Sequence, residues 1–300
     1  MKSTKAYVIT GPTSGIGYAT ALELAKHGTV ILVGRNPGKL DRVKKDIEGK
    51  GLQAVSVVCD LSDIKSVRRA AQQISTLKMP IAGLLNNAGV MSPKTTKNAL
   101  GWDMTFATNH LGAFVLTEAL MPHLPDGANV AFIASAIEDP ERKPAKMMGM
   151  KGGRYISVEA SIRGEWKAGG SKMPGIDAYA TSKQCVLASA MALARENPRL
   201  HVNAIEPGIT RGTGLGAENM NAVVHFIFGH LMALIPPFSR YASTPEQSAR
   251  VIAKVLTDES GKTGIYFDEK GQPMRGSDLA SDPKFQDLVV AETRALLKTV

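Results

Sequence analysis

Thr10-Gly11-Pro12-Thr13-Ser14-Gly15-Ile16-Gly17 joins the apolar run Ala6-Tyr7-Val8-Ile9 to a helical stretch that reaches His27. A strand, a glycine-rich turn and a helix in that order bring bare backbone to the helix N-terminus. Gly11 permits the tight turn, Gly15 lets the backbone come close to a pyrophosphate, and Gly17 allows close helix–strand packing. Thr13 and Ser14 add hydroxyl donors, and the helix N-terminus favours negative charge. The spacing is Gly-x-x-x-Gly-x-Gly, and its strand–turn–helix setting gives it meaning.

Working outward, strands are expected over 6–10, 29–34, 53–58, 81–86, 128–134, 200–205 and 263–267. Helices are expected over 15–27, 63–76 and 101–123, after Pro37, and around Tyr179. The strand runs are nearly continuous in apolar residues, as in a parallel sheet covered on both faces. Strand and helix alternating in this way predict an α/β doubly wound parallel sheet of about seven strands. No Pro/Ser-rich linker interrupts it, so residues 1–300 are read as a single domain. Two segments fall outside the alternation. Residues 137–176 are rich in Gly, Lys and Met and read as a long unstructured insertion with a functional use. Residues 212–238 read as a cover over the substrate. Their apolar part, 220–238, is interrupted by His225, Gly229 and His230, and is either a core helix or a mobile apolar lid.

Composition excludes several classes. The net charge of +9 is spread along the chain, and aromatics make up only 5% of it, so neither a basic helix nor a base-stacking platform is present. The densest basic run, 141–172, holds eight Lys or Arg against three acids. It is either a solvated loop or an attractor for an anionic cofactor or substrate. No run of 18 uninterrupted apolar residues supports a membrane span. The N-terminal apolar run is too short for a signal-peptide core, and a cytoplasmic location is expected. Cys59 and Cys185 form neither a disulfide framework nor a metal-ligand pattern; both read as reduced and buried, and no metal site is expected.

Tyr179 and Lys183 stand four apart in a stretch free of Gly and Pro, so both lie on one helical face. A nearby ammonium favours the phenolate and moves a tyrosine toward useful acid–base range. Together with the glycine turn, this pair resembles the short-chain dehydrogenase/reductase family. The resemblance continues in order through Cys59-Asp60-Leu61, Asn86-Asn87-Ala88-Gly89, Asn109 in Thr108-Asn109-His110-Leu111-Gly112, Ser135, and Pro207-Gly208. It spans roughly residues 5 to 267 and implies a Rossmann-type fold and hydride transfer between a nicotinamide and a carbonyl or alcohol carbon. It implies Tyr179 as the proton donor, Ser135 as the group that positions the oxygen, and Lys183 as the residue that lowers the Tyr179 pKa and holds the ribose. Asn109 would support a water linking Lys183 to solvent. The cofactor would be held by Gly11, Thr13, Ser14, Gly15, Ile16, Gly17, Asp60, Leu61, Asn87, Ala88, Gly89, Lys183, Pro207, Gly208 and Thr210.

Cofactor choice turns on Val33-Gly34-Arg35-Asn36. An acidic residue there would bind a ribose 2′-hydroxyl; Gly34 takes its place, and Arg35 suits a 2′-phosphate, which points to NADP. Gly34-Arg35-Asn36, Asn86 through Met91 and the Asn109 motif look most like the retinol dehydrogenase-like branch, implying an apolar ketone, aldehyde or secondary alcohol. Reduction of a carbon–carbon double bond, or an NADP-sensing regulatory role, are the alternatives. The chain departs from the family at Ala134, which precedes Ser135, and at Gly212, where a Thr is usual. Either Thr210 or Thr213 therefore contacts the carboxamide. The 44-position step from Ser135 to Tyr179 is unusually long. The insertion it contains either walls the substrate site or covers the helices by which the family associates, as in the similar carbonyl reductases, which favours a monomer.

Overall fold

Six buried runs rich in Val, Ile, Leu and Ala build the parallel core of the sheet: β1 (Ala6–Thr10), β2 (Thr29–Gly34), β3 (Ala54–Val58), β4 (Ile81–Asn86), β5 (Asn129–Ile133) and β6 (His201–Ile205). The structure, a computed structural model, describes residues 5–147, 149–210 and 238–300. β9 (Tyr266–Phe267) pairs parallel with β6, and β10 (Pro273–Met274) adds an antiparallel edge. The order is β3-β2-β1-β4-β5-β6-β9-β10, so direction of travel reverses between β1 and β4, where such sheets open a crevice for ligands. The expected strand 263–267 shortens to two residues because Gly264, at φ +69°, turns the chain before the ladder begins. Outside this sheet, β7 (Ile209–Thr210) pairs with β8 (Ala242–Ser243) and brackets residues 211–237. The expected cover 212–238 and Thr213 thus lie outside the described residues, except the backbone of Phe238.

Helices cover both faces. On one lie α1 (Gly15–Leu24), α2 (Pro37–Glu48) and α9 (Pro245–Leu256), sharing a core with Ile9, Leu32 and Leu85. Asn36 caps α2 by accepting from the Lys39 amide, Pro37 opens it, and Leu40, Val43 and Ile47 bury its inner stripe. On the other face, Asp63 caps α3 (Ile64–Thr76), whose Ile64, Val67, Ala71 and Ile74 point inward. The helix expected over 101–123 starts later. Asp103 caps α4 (Met104–Phe106), a π-helical turn follows over Ala107–Gly112, and α5 (Ala113–Leu120) completes it.

The insertion 137–176 is more ordered than its composition suggests. It holds α6 (Lys143–Met147) and α7 (Val158–Arg163), and its last residues already belong to α8 (Pro174–Glu196). Ser157 caps α7, and Val158, Ala160 and Ile162 are buried. Tyr155 packs edge-on against Phe285 at 5.1 Å between ring centres and donates to Glu292 at 2.7 Å; the Val158 amide donates to the same carboxylate. Phe285 and Glu292 belong to α10 (Pro283–Leu297), which packs along α8. With the sheet on its other side, α8 is buried along almost its whole length.

Candidate active site

The glycine turn is stitched to the end of β4. Thr10 Oγ1 accepts from the amides of Asn87 and Ala88 at 2.9 and 3.0 Å, and Asn87 Nδ2 donates to the carbonyls of Thr10 and Gly11. The approach is so close that a Cβ on Gly11 would stand 2.9 Å from Ala88 Cα, and one on Gly17 would overlap the Gly11 carbonyl. Gly11 itself turns at φ +66°. At the start of α1, Ser14 is extended, its side chain makes no capping bond, and no acid sits in the first turn. This end of the helix therefore keeps its positive character for an anion. Thr13 and Ile16 flank it half-buried. Arg35 is exposed just beyond β2. The Asp60 carboxylate accepts from the Ser62 amide and hydroxyl, and the adjoining Leu61 is buried. A bare cradle and an open helix end fit the pyrophosphate of a dinucleotide, and the Arg35 guanidinium stands exposed beyond them.

Ser135, Tyr179, Lys183 and Asn109 converge beyond the ends of β4 and β5. Ser135 is extended just after β5, and its side chain lies near enough to the Tyr179 phenol to favour the phenolate. Lys183, one helical turn below Tyr179 on α8, donates to the Ile133 carbonyl at 2.6 Å. A Cβ on Gly89 would lie 3.4 Å from Asn109 Oδ1 and 3.7 Å from Lys183 Nζ, so the Asn87-Ala88-Gly89 loop borders both. Asn109 sits in the π turn, a feature frequent at functional sites. Its amide is held by its surroundings: Oδ1 accepts from the Val90 amide, and Nδ2 donates to the Val90 carbonyl and Ser182 Oγ.

Burial dominates the electrostatics around Tyr179. Burial first, and the field of Glu206 second, push the Tyr179 phenol above its ordinary value; hydrogen bonding from Ser135 opposes them. Lys183 stands beside Tyr179 with its ammonium turned to another partner. Its ammonium points to the Ile133 carbonyl and stands 5.7 Å from the Tyr179 ring centre, and burial lowers its own pKa to about 8 against the pull of Glu206. The Thr210 hydroxyl donates back to the Pro207 carbonyl at 3.2 Å, within its own turn.

Two buried acids escaped the sequence reading. Glu206 and Glu138 both lie beside Ser135, and burial raises both carboxyl groups, Glu138 to about 7. Glu206 directly precedes Pro207-Gly208, and an acid ending an apolar strand run is the signal that could have revealed it. A cavity of about 160 Å³ opens from Ser135 and is lined also by Ile137, Arg142, Met150, Ile209 and Tyr241, with Glu206 and Glu269 in its wall. The Arg142 guanidinium lies 4.9 Å from the Tyr241 ring centre. The insertion thus supplies part of this wall. A second cavity of about 390 Å³ gathers Lys146, Lys151, Arg154 and Lys167, so part of the basic run lines a pocket. Cys59 and Cys185 are buried and free; burial pushes the Cys59 thiol up to about 12, which suits inert packing. Among the described residues no metal-binding cluster occurs, and no helix is long and apolar enough to cross a membrane.

Known proteins resemble this chain along most of its length. The profile described as short chain dehydrogenase matches residues 5–143. Human retinol dehydrogenase 13 is 30% identical over 275 residues, covering 88% of this chain and 76% of its own. A Streptomyces protein provisionally named a daunorubicin C-13 ketoreductase is 28% identical over 271 residues, covering 90% and 85%. Among solved structures, a short chain dehydrogenase from Shigella flexneri complexed with NADP matches at a TM-score of 0.62 and 27% identity, covering 89% of this chain and 97% of its own.

Proposed function

The chain belongs to the short-chain dehydrogenase/reductase family, and from that premise we propose that it is an NADP(H)-dependent oxidoreductase acting on an apolar ketone, aldehyde or secondary alcohol, with Tyr179 as the acid–base group. The observation that carries the reading is the convergence of Ser135, Tyr179 and Lys183 beside the Gly89 loop. In this reading Gly11, Gly15 and Gly17, with Thr13, Ser14 and Ile16, hold the pyrophosphate against α1. Arg35 holds the 2′-phosphate, Asp60 and Leu61 border the adenine, and Asn87 to Gly89, Pro207, Gly208 and Thr210 border the nicotinamide half. Bound NADPH would supply hydride to the carbonyl carbon.

The protein's own part is to manage the oxygen and its proton. Negative charge growing on the carbonyl oxygen needs donors aimed at it, and Ser135 and Tyr179 present two hydroxyls there. Burial and Glu206 keep Tyr179 protonated, the form that gives a proton during reduction. Lys183 holds the ribose, and Asn109 fixes the loop at Val90 and borders the route by which Lys183 exchanges protons with solvent. The names of the human retinol dehydrogenase and the Streptomyces ketoreductase support an apolar carbonyl, and the NADP-bound structural relative supports the cofactor. The family's association surface on α8 is covered in this chain, which supports a monomer.

The test is NADPH oxidation by the wild-type chain against a panel of ketones, quinones and aldehydes. Tyr179→Phe should lower turnover at least about 10²-fold while NADPH still binds. Retained turnover in that variant would remove Tyr179 from the reaction, and a product reduced at a carbon–carbon bond would reassign the substrate class.

A further inference from the structure

We propose that Glu206 is a positioning residue for this reaction, a buried carboxylate that ties the Ser135 turn to the Pro207-Gly208 turn and so sets the mouth of the site. The proposal rests on the functional reading above. β5 and β6 run in parallel register to Ile133 and Ile205, and their last ladder bond is the Ala134 amide to the Ile205 carbonyl at 2.9 Å. Beyond it the strands part. One enters the 3-10 turn Ala136–Glu138, and the other bends at Gly208, where φ is +76°.

The Glu206 side chain fills this split. One carboxylate oxygen accepts from the Ala136 amide, next to Ser135, and the other accepts from the Gly208 amide at 2.9 Å. Pro207 has no amide hydrogen to offer, and its carbonyl is engaged by Ser248 Oγ at 3.0 Å. A single carboxylate therefore replaces the missing ladder with two charge-assisted bonds. The side-chain oxygen of a glutamine could satisfy only one of those amides without sharing.

Its surroundings make Glu206 more than a strut. Arg142 faces it from the insertion, Tyr266 from β9 at 3.5 Å and Glu269 from the turn after β9, and Glu138 is a further acid that feels its field. From α8 come Tyr179 and Lys183, both of which feel its field. A buried acid is costly, and a neutral side chain would hold the strand end more cheaply if packing were the sole need. With the carboxylate in place, Tyr179 is biased to its protonated form and Lys183 to its ammonium form, the pair needed to protonate a reduced carbonyl.

The test uses the full chain with Glu206→Gln and Glu206→Asp. Amide hydrogen exchange at Ala136 and Gly208 should accelerate at least about tenfold in both variants, because each loses part of the bridge. With a carbonyl compound that the wild type reduces, kcat should fall about tenfold or more, while the Kd for NADPH stays within about threefold. The kcat pH profile of Glu206→Gln should move to lower pH, because the charge that raises Tyr179 is gone; that of Glu206→Asp should stay. A purely structural residue would lower the melting temperature and kcat without that difference between the two profiles. Wild-type exchange and wild-type kcat in both variants, or identical pH profiles, would overturn the proposal. If no panel compound is reduced by the wild type, the functional reading fails, and the exchange measurement still decides whether Glu206 bridges the two turns. If Glu206→Gln does not fold, Glu206→Asp decides by exchange and kcat.

Discussion

Arg35 stands exposed just past β2, beside Gly34, where an acid would repel a phosphate. Arg35→Asp should therefore shift the ratio of NADPH to NADH affinity toward NADH by at least about tenfold, the worth of one charge-assisted contact. An unchanged ratio in fluorescence titrations would remove Arg35 from cofactor selection. Glu138 poses a different question. It is fully buried, accepts from the Ser277 amide and hydroxyl at 2.7 and 2.6 Å, and burial lifts its carboxyl from 4.5 to about 7. Between those values the folded chain keeps a proton that the unfolded chain has released. Stability from this group is therefore present at low pH and falls as pH rises through the window, by on the order of 3 kcal/mol. His110 slopes the other way, since burial lowers it to about 3 and its contribution is lost as pH falls below 6.5. Glu138→Gln keeps His110 and removes only the first slope. Its melting temperature relative to wild type should rise from about pH 4.5 to about pH 7 and level off above; a constant difference would show that Glu138 does not titrate in this window. The exposed position of Arg35 was legible because it follows a strand end directly. Glu138 and Glu206 were not, because their burial depends on distant segments: Ser277 for Glu138, and Ala136 and Tyr266 for Glu206.

At the scale of elements, legibility followed burial pattern. β1, β2 and β4 kept their expected bounds because continuous apolar runs between turn residues have few other ways to hide. The helices α2 and α3 announced themselves by Asn36-Pro37 and Asp63 at their starts. The insertion was misread because α7 is only six residues long, and the groups that order it, Phe285 and Glu292, sit on α10. The π turn carrying Asn109 was also hidden, since no residue pattern distinguishes it from the α-helix around it. Its position depends on Gly112, where a Cβ would overlap the Leu61 carbonyl. Gly112→Ala must push the turn away from the Asp60-Leu61 loop, so the contacts of both Asn109 and that loop should loosen. The expected result is a loss of about 1–3 kcal/mol in stability, as for overpacking, together with weaker NADPH binding. Denaturant melts and NADPH titrations check it; a variant that binds NADPH as tightly as wild type would uncouple the π turn from the cofactor loop.

Across the whole molecule, α8 is sandwiched between the sheet and α10, and the site inherits its rigidity from that burial. The expectation of extra chain over α8 named the insertion alone; in the structure α10 also packs along α8, with Tyr155 and α7 braced against it. A ring of polar contacts fastens α10. Arg294 bonds Glu118 at 2.7 Å and Glu196 at 2.6 Å, His110 meets Thr293 at 2.9 Å, and Arg195 engages Gln286 and Asp287. Light scattering at low micromolar concentration should therefore give the mass of one chain. Exposed ion pairs are individually weak, yet reversing one in a network turns attraction into repulsion at two carboxylates. Arg294→Glu should lower the melting temperature and let α10 lift. The apolar face of α8 beneath it should then drive association, so the scattering mass should rise with concentration. If the variant melts earlier but stays at the mass of one chain, α10 fastens the fold without masking a sticky surface. A wild-type dimer cross-linked through α8 would show that α10 leaves that surface open.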